Sequence, residues 1–313
     1  MGLKGILGFL FTLVITAFML VPLTGDTQNV VSSGGAATLA FASMNNISAG
    51  DVVEVQPGRI SVNEMERVQP QGIDKTVQVL TLLSFNIHSA NDRNGDVYLD
   101  QIVKEIKETG AEIIGLQEVE RLMPRSGYKD QTKEIAKALG YYYYYGSNIN
   151  ILGVQYGNAF LSKYPILESR NNKLPKELLE PRGFIEAQID MKGVIYNVFV
   201  THLGLNASER SKQIPYISNE ISKKEGNIVL MGDFNNKPNS PEMAELDSRL
   251  IDTAESLDQE NQYTYSFYNE KPNVRLDRIY ASDNITLKVH ESKSSTISDH
   301  ARVITRFSHN IIN

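Results

Sequence analysis

Six short apolar runs, spread over more than two hundred residues, each end in or beside an acidic, amide or imidazole side chain. They read TLLSFNIH (Asn86), IIGLQEVE (Glu118), YNVFVTHLG (His202), NIVLMGDFN (Asp233, Asn235), VRLDRIYAS (Asp277) and STISDHARV (Asp299, His300). Runs this apolar and this rich in β-branched residues are strands buried on both faces, which a single half-exposed sheet cannot accommodate. Hard oxygen and imidazole groups gathered where such strands end are the raw material of a metal-dependent hydrolytic site.

The chain has 313 residues, 41% of them hydrophobic, enough for one large two-sheet or barrel domain, or two smaller ones, with extensions. Its net charge of −6 argues against a broad basic surface that coats nucleic acid, although a bound cation and a few Arg and Lys would still serve a nuclease. With no cysteine, thiolate nucleophiles, zinc–thiolate sites, iron–sulfur clusters and disulfides are all excluded.

Residues 1–23 carry an uncharged apolar run of nineteen residues, Gly5–Leu23, after Lys4. That length spans a bilayer as a helix, and no A-x-A site follows it directly. We read it as a retained anchor, with a cleaved signal peptide or a buried core helix as the alternatives. Lys4 then places the rest of the chain outside the cytoplasm, either membrane-anchored or, after cleavage, secreted. Residues 24–75 read as an extracytoplasmic linker: the Ser/Gly/Ala-rich stretch to Gly50 as a tether, and 51–71 as a partly ordered segment that could add a strand.

The catalytic domain is expected over 76–313. Helical periodicity marks 98–109, stopped by Gly110, 132–139, stopped by Gly140, and 207–224, where Pro215 should kink the helix. Tyr141–Tyr145 should be a strand with alternate rings facing core and surface, unless the rings stack on sugar or bases. Further strands are expected over GNAFLSKYPI, GFIEAQID, 276–281, 285–290 and 301–307. Strand, helix and hairpin in this mixed order fit two packed mixed sheets flanked by helices rather than a doubly wound parallel sheet. Each half repeats strand, polar site, helix, strand, polar site.

Asp233 and Asn235 are two apart, so an extended chain would turn both toward one pocket; an Asx turn closing the strand is the alternative. Gly232 allows close approach of backbone or ligand, and Pro238 should end the strand. Asp277, set in an apolar strand pattern, needs a partner, and His300 is the economical one because a carboxylate orients an imidazole and stabilises its cation. His202, at a strand end, joins the set. Asn86 and Glu118 are natural oxygen ligands for a hard cation such as Mg²⁺.

The motifs SFNIH, LQEV, THLG, GDFN, LDRIY and SDH, in that order, resemble the endonuclease/exonuclease/phosphatase superfamily, over about Val77 to Phe307. The resemblance implies a four-layered α/β sandwich with its site at one end of two face-to-face sheets. It implies Mg²⁺ or Mn²⁺ on Asn86 and Glu118 with Asp299 at the metal-binding edge, Asp233 and Asn235 positioning water and phosphate, His202 bonding the phosphate, and Asp277 paired with His300. Arg182, in EPRGFIEAQ, would be a substrate contact, with a surface salt bridge as the alternative. A monomeric phosphodiesterase acting on DNA, RNA or a phospholipid headgroup is expected. An inositol-phosphate-type phosphomonoesterase and a non-catalytic phosphate-binding protein are the alternatives. The loop cations Arg121, Arg125, Lys129 and Lys133 are interleaved with acids and give a nuclease weak support. Without tryptophan, a lipid-directed enzyme would need exposed Tyr, Phe or Leu.

Overall fold

In the computed structural model, residues 75–92, 94–177, 180–266 and 271–312 are described. Gly5–Leu23, the tether and residues 51–71 lie outside them. No helix among the described residues is long and apolar enough to cross a membrane.

The first sheet runs in the order β11-β12-β1-β2-β4-β3. Its strands are β1 (Lys75–Asn86), β2 (Ile113–Arg121), β3 (Tyr142–Ile151), β4 (Val154–Ser162), β11 (Thr286–Lys293) and β12 (Arg302–Ile312). The second, β5-β6-β7-β8-β10-β9, is built from β5 (Ile166–Lys173), β6 (Gly183–Met191), β7 (Val194–His202), β8 (Asn227–Asp233), β9 (Ile251–Asp252) and β10 (Asp277–Ala281). Each sheet has one parallel pair at its centre, β1 with β2 and β7 with β8, and the remaining pairs are antiparallel. A parallel pair needs a crossover, supplied by α1 (Leu99–Thr109) in one half and α3 (Ala207–Ile221) in the other. The repeated strand–site–helix–strand–site pattern is therefore a real architectural symmetry: both parallel pairs end at the same edge of the sandwich, with Asn86 and Glu118 on one side and His202 and Asp233 on the other.

Three apolar layers hold this together. The middle one joins the two sheets through Leu80, Leu82, Phe160, Ile185, Val198, Val200, Met231, Ile279 and Phe307. The outer layers seat Leu99, Ile102 and Ile106 of α1 with Ile135 of α2 (Gln131–Leu139) on the first sheet, and Ile214, Ile217 and Ile221 of α3 on the second, where Leu246 of the short α4 (Ala244–Asp247) joins them. Gly115 sits where a Cβ would meet Met231 Sδ at 2.6 Å, so its missing side chain lets the sheets close.

The helix stops are as expected: Gly110 and Gly140 adopt left-handed φ of 65° and 72°. Asp130 accepts from the Lys133 amide at the start of α2, and Asn206 from the Glu209 amide at the start of α3. Several boundaries differ from the sequence reading. α3 ends at Ile221 rather than 224, with Pro215 inside it on an exposed position. β2 runs past Glu118 to Arg121, through a bulge between Leu116 and Val119. β5 and β9 have no counterpart in the sequence reading; β5, ILESRNNK, is polar at its far end and pairs with one strand only, at the edge of its sheet. The tyrosine run does not alternate between core and surface. Tyr143 and Tyr145 enter the core under the helices while Tyr144 enters the core between the sheets, so alternation survives but both faces are covered.

Candidate active site

The polar residues at the shared edge converge on one carboxylate. Asp233 closes β8, is 1% exposed, and sits in register with His202, the last residue of β7. Its Oδ2 accepts from Asn86 Nδ2 at 3.1 Å and lies 3.5 Å from His202 Nε2 and 3.6 Å from His300 Nε2. Asn86, closing β1, extends the same Nδ2 to Glu118 Oε1 at 2.9 Å, and its own oxygen accepts from the His88 amide at 3.0 Å. Groups drawn from residues 86 to 300 thus meet within hydrogen-bonding reach because β1, β7 and β8 end there and β2 bulges there at Glu118.

His300 is built in from three sides. Its Nδ1 lies 2.8 Å from Asp277 Oδ2, its ring packs on Tyr265 at 4.7 Å between centroids, and its backbone amide donates to Ser298 Oγ. Ser298 Oγ in turn donates to the Asn86 carbonyl at 2.6 Å, stitching the end of β1 to the SDH loop. Burial disfavours a charged ring, but the neighbouring carboxylate of Asp277, with Asp233 and Asp299, outweighs it and raises the His300 pKa to about 10. The ring is therefore an imidazolium at neutral pH, with Asp277 fixing which nitrogen points into the site. Asp299 itself is at the margin, 3.9 Å from His300 Nε2.

Arg182 is not part of a surface salt bridge. It is 6% exposed, and its Nη1 donates to Glu180 Oε1 at 2.9 Å and to His202 Nδ1 at 3.0 Å. Burial alone would lower its pKa, but Glu180, Tyr156, Glu118 and Asp233 together raise it. Glu180 and Tyr156 were not singled out in the sequence. Glu180 belongs to the EPRG motif and could have been; nothing in the local pattern marks Tyr156.

Asn235 departs from the extended geometry expected of it. β8 stops at Asp233, well short of Pro238, and Asn235 turns with φ 49°. Its amide nitrogen donates to Asp233 Oδ1 at 2.9 Å, the Asx turn weighed above, while its side chain donates to the Leu203 carbonyl at 2.9 Å. The residue fixes the carboxylate and ties β8 to the loop after β7. Glu118 is likewise held at a positive φ of 57° within the β2 bulge, a costly conformation for a non-glycine residue that turns it out of the strand's regular alternation.

Asp233, Asp277 and His300 offer ligand atoms within 4.8 Å of one another. That trio is a poor cation cage, because His300 Nδ1 and Asp277 Oδ2 are bonded to each other. The Glu118 side fits better. Burial first, and then Glu118, raise the pKa of Glu180; burial, Glu118 and Glu180 push the Tyr156 phenol well up. Burial is the larger cause in both, and Arg182 and Arg125 offset part of the acidic contribution; Glu118 is the carboxylate common to the two shifts, and a divalent ion on it would relieve that part. The donors available there are Glu118 and Asn86 with its amide turned over; Asp299, expected at the metal-binding edge, is placed by its contact with His300.

Residues 83–300 match the family model described as the Endonuclease/Exonuclease/phosphatase family. The uncharacterised protein YbhP of Escherichia coli (strain K12) is 28% identical over 230 residues, which are 67% of this chain and 88% of that protein. Among solved structures, the mannosyl-6-phosphatase Bt3783 of Bacteroides thetaiotaomicron superposes with a TM-score of 0.60 at 19% identity, covering 73% of this chain and 99% of that one. A humanized D. rerio TDP2 gives 0.60 at 19% identity, with 73% and 98% covered. At these identities the two structures speak to the fold alone.

Proposed function

The chain belongs to the endonuclease/exonuclease/phosphatase family, whose members hydrolyse phosphate esters, and on that premise we propose that it is a divalent-metal-dependent phosphodiesterase working by in-line attack of water. The observation that carries this is the Asp233 carboxylate, buried and flanked by the ring nitrogens of His202 and His300. A carboxylate alone would repel a phosphate ester; placed among donors, it can share a water with one.

In this reading Asp233 orients the attacking water and takes its proton. Asn235, through its backbone amide on Oδ1, holds the carboxylate so that Oδ2 faces the reacting centre. His300, an imidazolium oriented by Asp277, donates from Nε2 to a non-bridging oxygen, where charge grows as the bond forms. His202 donates from its own Nε2 on the opposite side of Asp233. A divalent cation held by Glu118 with Asn86 and Asp299, Mg²⁺ or Mn²⁺, would neutralise the phosphate and the departing oxygen. Gly5–Leu23 would keep the monomeric catalytic domain at the outer face of a membrane.

A phosphomonoesterase is the second reading, supported by the phosphatase named among the structural relatives and by Arg182, whose buried guanidinium adds cationic charge beside the site. The test is a substrate panel with the full chain and Mg²⁺ or Mn²⁺: plasmid DNA, phosphatidylcholine and sphingomyelin vesicles, bis(4-nitrophenyl) phosphate and an inositol phosphate, each repeated with Asp233→Ala. Diester cleavage lost in the variant is expected. Monoester turnover alone would favour the second reading, and binding without any turnover would make this a phosphate-binding protein.

A further inference from the structure

Three large apolar side chains stand in the solvent at the active-site edge, at backbone positions that ordinarily favour glycine or asparagine. Leu122 is 45% exposed, Tyr128 66% and Leu152 101%. Their φ angles are 58°, 58° and 52°. A side chain beyond Cβ makes the left-handed region unfavourable, and β-branched or bulky residues are rare there. Leu152 and Gly153, with φ 52° and 89°, form the two-residue tip of the β3–β4 hairpin between the paired Ile151 and Val154. Such a tip favours Asn-Gly. Leu122 and Tyr128 lie in the adjacent loop, which closes on itself through the Arg121–Asp130 bridge and the Leu122 amide on the Lys129 carbonyl. Exposure and backbone strain therefore coincide three times within two neighbouring loops.

These loops are neighbours of one another and of the site. Arg121 pairs with Gln155 across β2 and β4, which puts Leu122 beside the hairpin tip. Leu122 follows Glu118 by four residues, roughly 13 Å along a strand. Two of the three cations in that loop are matched, Arg121 with Asp130 and Arg125 with Glu120, and the third, Lys129, is exposed. A polyanion gains little from the two guanidiniums, whose charge is already spent on carboxylates, and would find one ammonium, Lys129, in the loop. Leucine offers nothing to hydrogen-bond with bases or sugars.

We propose that Leu122, Tyr128 and Leu152 form a rim that seats in the interface of a phospholipid bilayer and presents the headgroup phosphate to the site. Two independent features of the chain point to lipid as the occupant. The rim is apolar at its tips and has both its guanidiniums paired behind them, with Lys129 as the one further cation, which suits a phospholipid headgroup layer. Upstream of the described residues, the chain carries the uncharged run Gly5–Leu23, long enough to span a bilayer. The substrate class that follows is a phospholipid headgroup ester; this rests on the phosphate-ester reading above.

The absence of cysteine gives a clean test. Leu122→Cys, Tyr128→Cys and Leu152→Cys, each in the full chain, are labelled with an environment-sensitive fluorophore and reconstituted into phosphatidylcholine vesicles. Ile195→Cys, at the start of β7 and away from the site edge, is the control. The three rim labels should shift to the blue and be quenched by aqueous iodide roughly threefold less in vesicles than in detergent-free buffer, while the label at 195 stays accessible. A triple variant, Leu122→Ser with Tyr128→Ser and Leu152→Asn, should lose roughly tenfold or more of turnover on vesicle-borne phosphodiester and keep its turnover on bis(4-nitrophenyl) phosphate. Rim labels as accessible as the control in vesicles would overturn the proposal. So would shielding that grows with protein concentration without lipid, which would mean a second copy covers the rim, or shielding by duplex DNA in place of lipid. If the parent chain hydrolyses no phosphate ester while the rim labels still report lipid contact, it is the catalytic reading that has failed and not this one.

Discussion

Arg182 Nη1 donates to His202 Nδ1 at 3.0 Å, which leaves the imidazole Nε2 as the only nitrogen able to carry a proton. That nitrogen is the one 3.5 Å from Asp233 Oδ2. The two site histidines are thus set differently: His300 is oriented by a carboxylate and charged, His202 by a guanidinium that forces its Nδ1 to accept.

Replacing Arg182 should therefore disturb His202 before it disturbs substrate binding. Arg182→Met should lower kcat by roughly 10–100-fold with a smaller change in KM, and Arg182→Lys should recover part of the loss because an ammonium can still donate to Nδ1. ¹⁵N spectra should show the Nε2–H tautomer in the parent and a mixture in Arg182→Met. Leaving half-buried Glu180 without its partner should also cost about 1–2 kcal/mol of stability. A pure KM effect with an unchanged tautomer would return Arg182 to a simple substrate contact.

His300→Ala is expected to reduce turnover by roughly 10²–10⁴-fold, and Asp277→Asn by a comparable factor, since the amide cannot hold the imidazolium. The pH dependence has a definite sign. A pKa raised to about 10 in the fold keeps the proton on His300 through neutrality, so its contribution to stability is full below about 6.5 and is lost as pH rises through 10. The alkaline limb of activity should fall near that value in the parent and move toward neutrality in Asp277→Asn. Identical limbs in the two proteins would remove His300 from the mechanism.

His290 should act in the opposite direction. It is 4% exposed, its Nδ1 lies 2.9 Å from Thr253 Oγ1 and 3.2 Å from Thr305 Oγ1, and burial pushes its pKa down to about 4. The unfolded chain binds the proton first, so stability is intact above about 6.5 and is lost as pH falls through 4, by about 3 kcal/mol in total. His290→Asn should be less stable at pH 7 yet have a shallower decline of Tm between pH 6.5 and 4. Parallel declines would show that another group governs acid unfolding.

For the cation, the informative residue is Glu118. EDTA should abolish turnover, and Glu118→Gln should raise the Mg²⁺ concentration for half-maximal rate by about tenfold or more. A second readout needs no substrate: Mg²⁺ should raise the Tm of the parent by binding only the folded state, and should do so less in Glu118→Gln. Full activity in EDTA would dispose of the metal.

Most of this site was legible in the sequence because buried strands announce themselves by composition, and a polar residue ending such a strand has few structural reasons to be there. Asn86, His202, Asp233 and His300, which meet at one edge of the sandwich, each carry that mark, and the Asp277–His300 contact follows from the need of a buried carboxylate for a partner. What failed was conformation at single residues. For Asp233 and Asn235 the sequence admits both an extended relation and an Asx turn, and the chain takes the turn; Glu118 reads as a strand end but sits in a bulge inside the strand. Positive φ at non-glycine residues leaves no mark in periodicity, since it is imposed by contacts from distant segments. Tyr156 has no mark for a related reason: it becomes part of the site only through burial beside Glu118, Glu180 and Arg182, whereas Glu180 stands two residues before Arg182 in the same EPRG motif.

Gly232 is the position where fold and site are most tightly joined. A Cβ built there would lie 2.1 Å from the Thr201 carbonyl oxygen, so the glycine serves backbone approach between β7 and β8 rather than room for a ligand. The next pair along that ladder is His202 with Asp233. Gly232→Ala must push the two strands apart or twist one of them, and either movement acts on two site residues at once. A cost of about 2 kcal/mol or more in stability is expected, together with a loss of turnover larger than the fraction unfolded explains. The two effects can be separated by measuring kcat well below the Tm of the variant. If activity per folded molecule is unchanged there, the ladder tolerates the methyl group by moving elsewhere, and the spacing between His202 and Asp233 is set by the hydrogen bonds around them instead of by the strand pair.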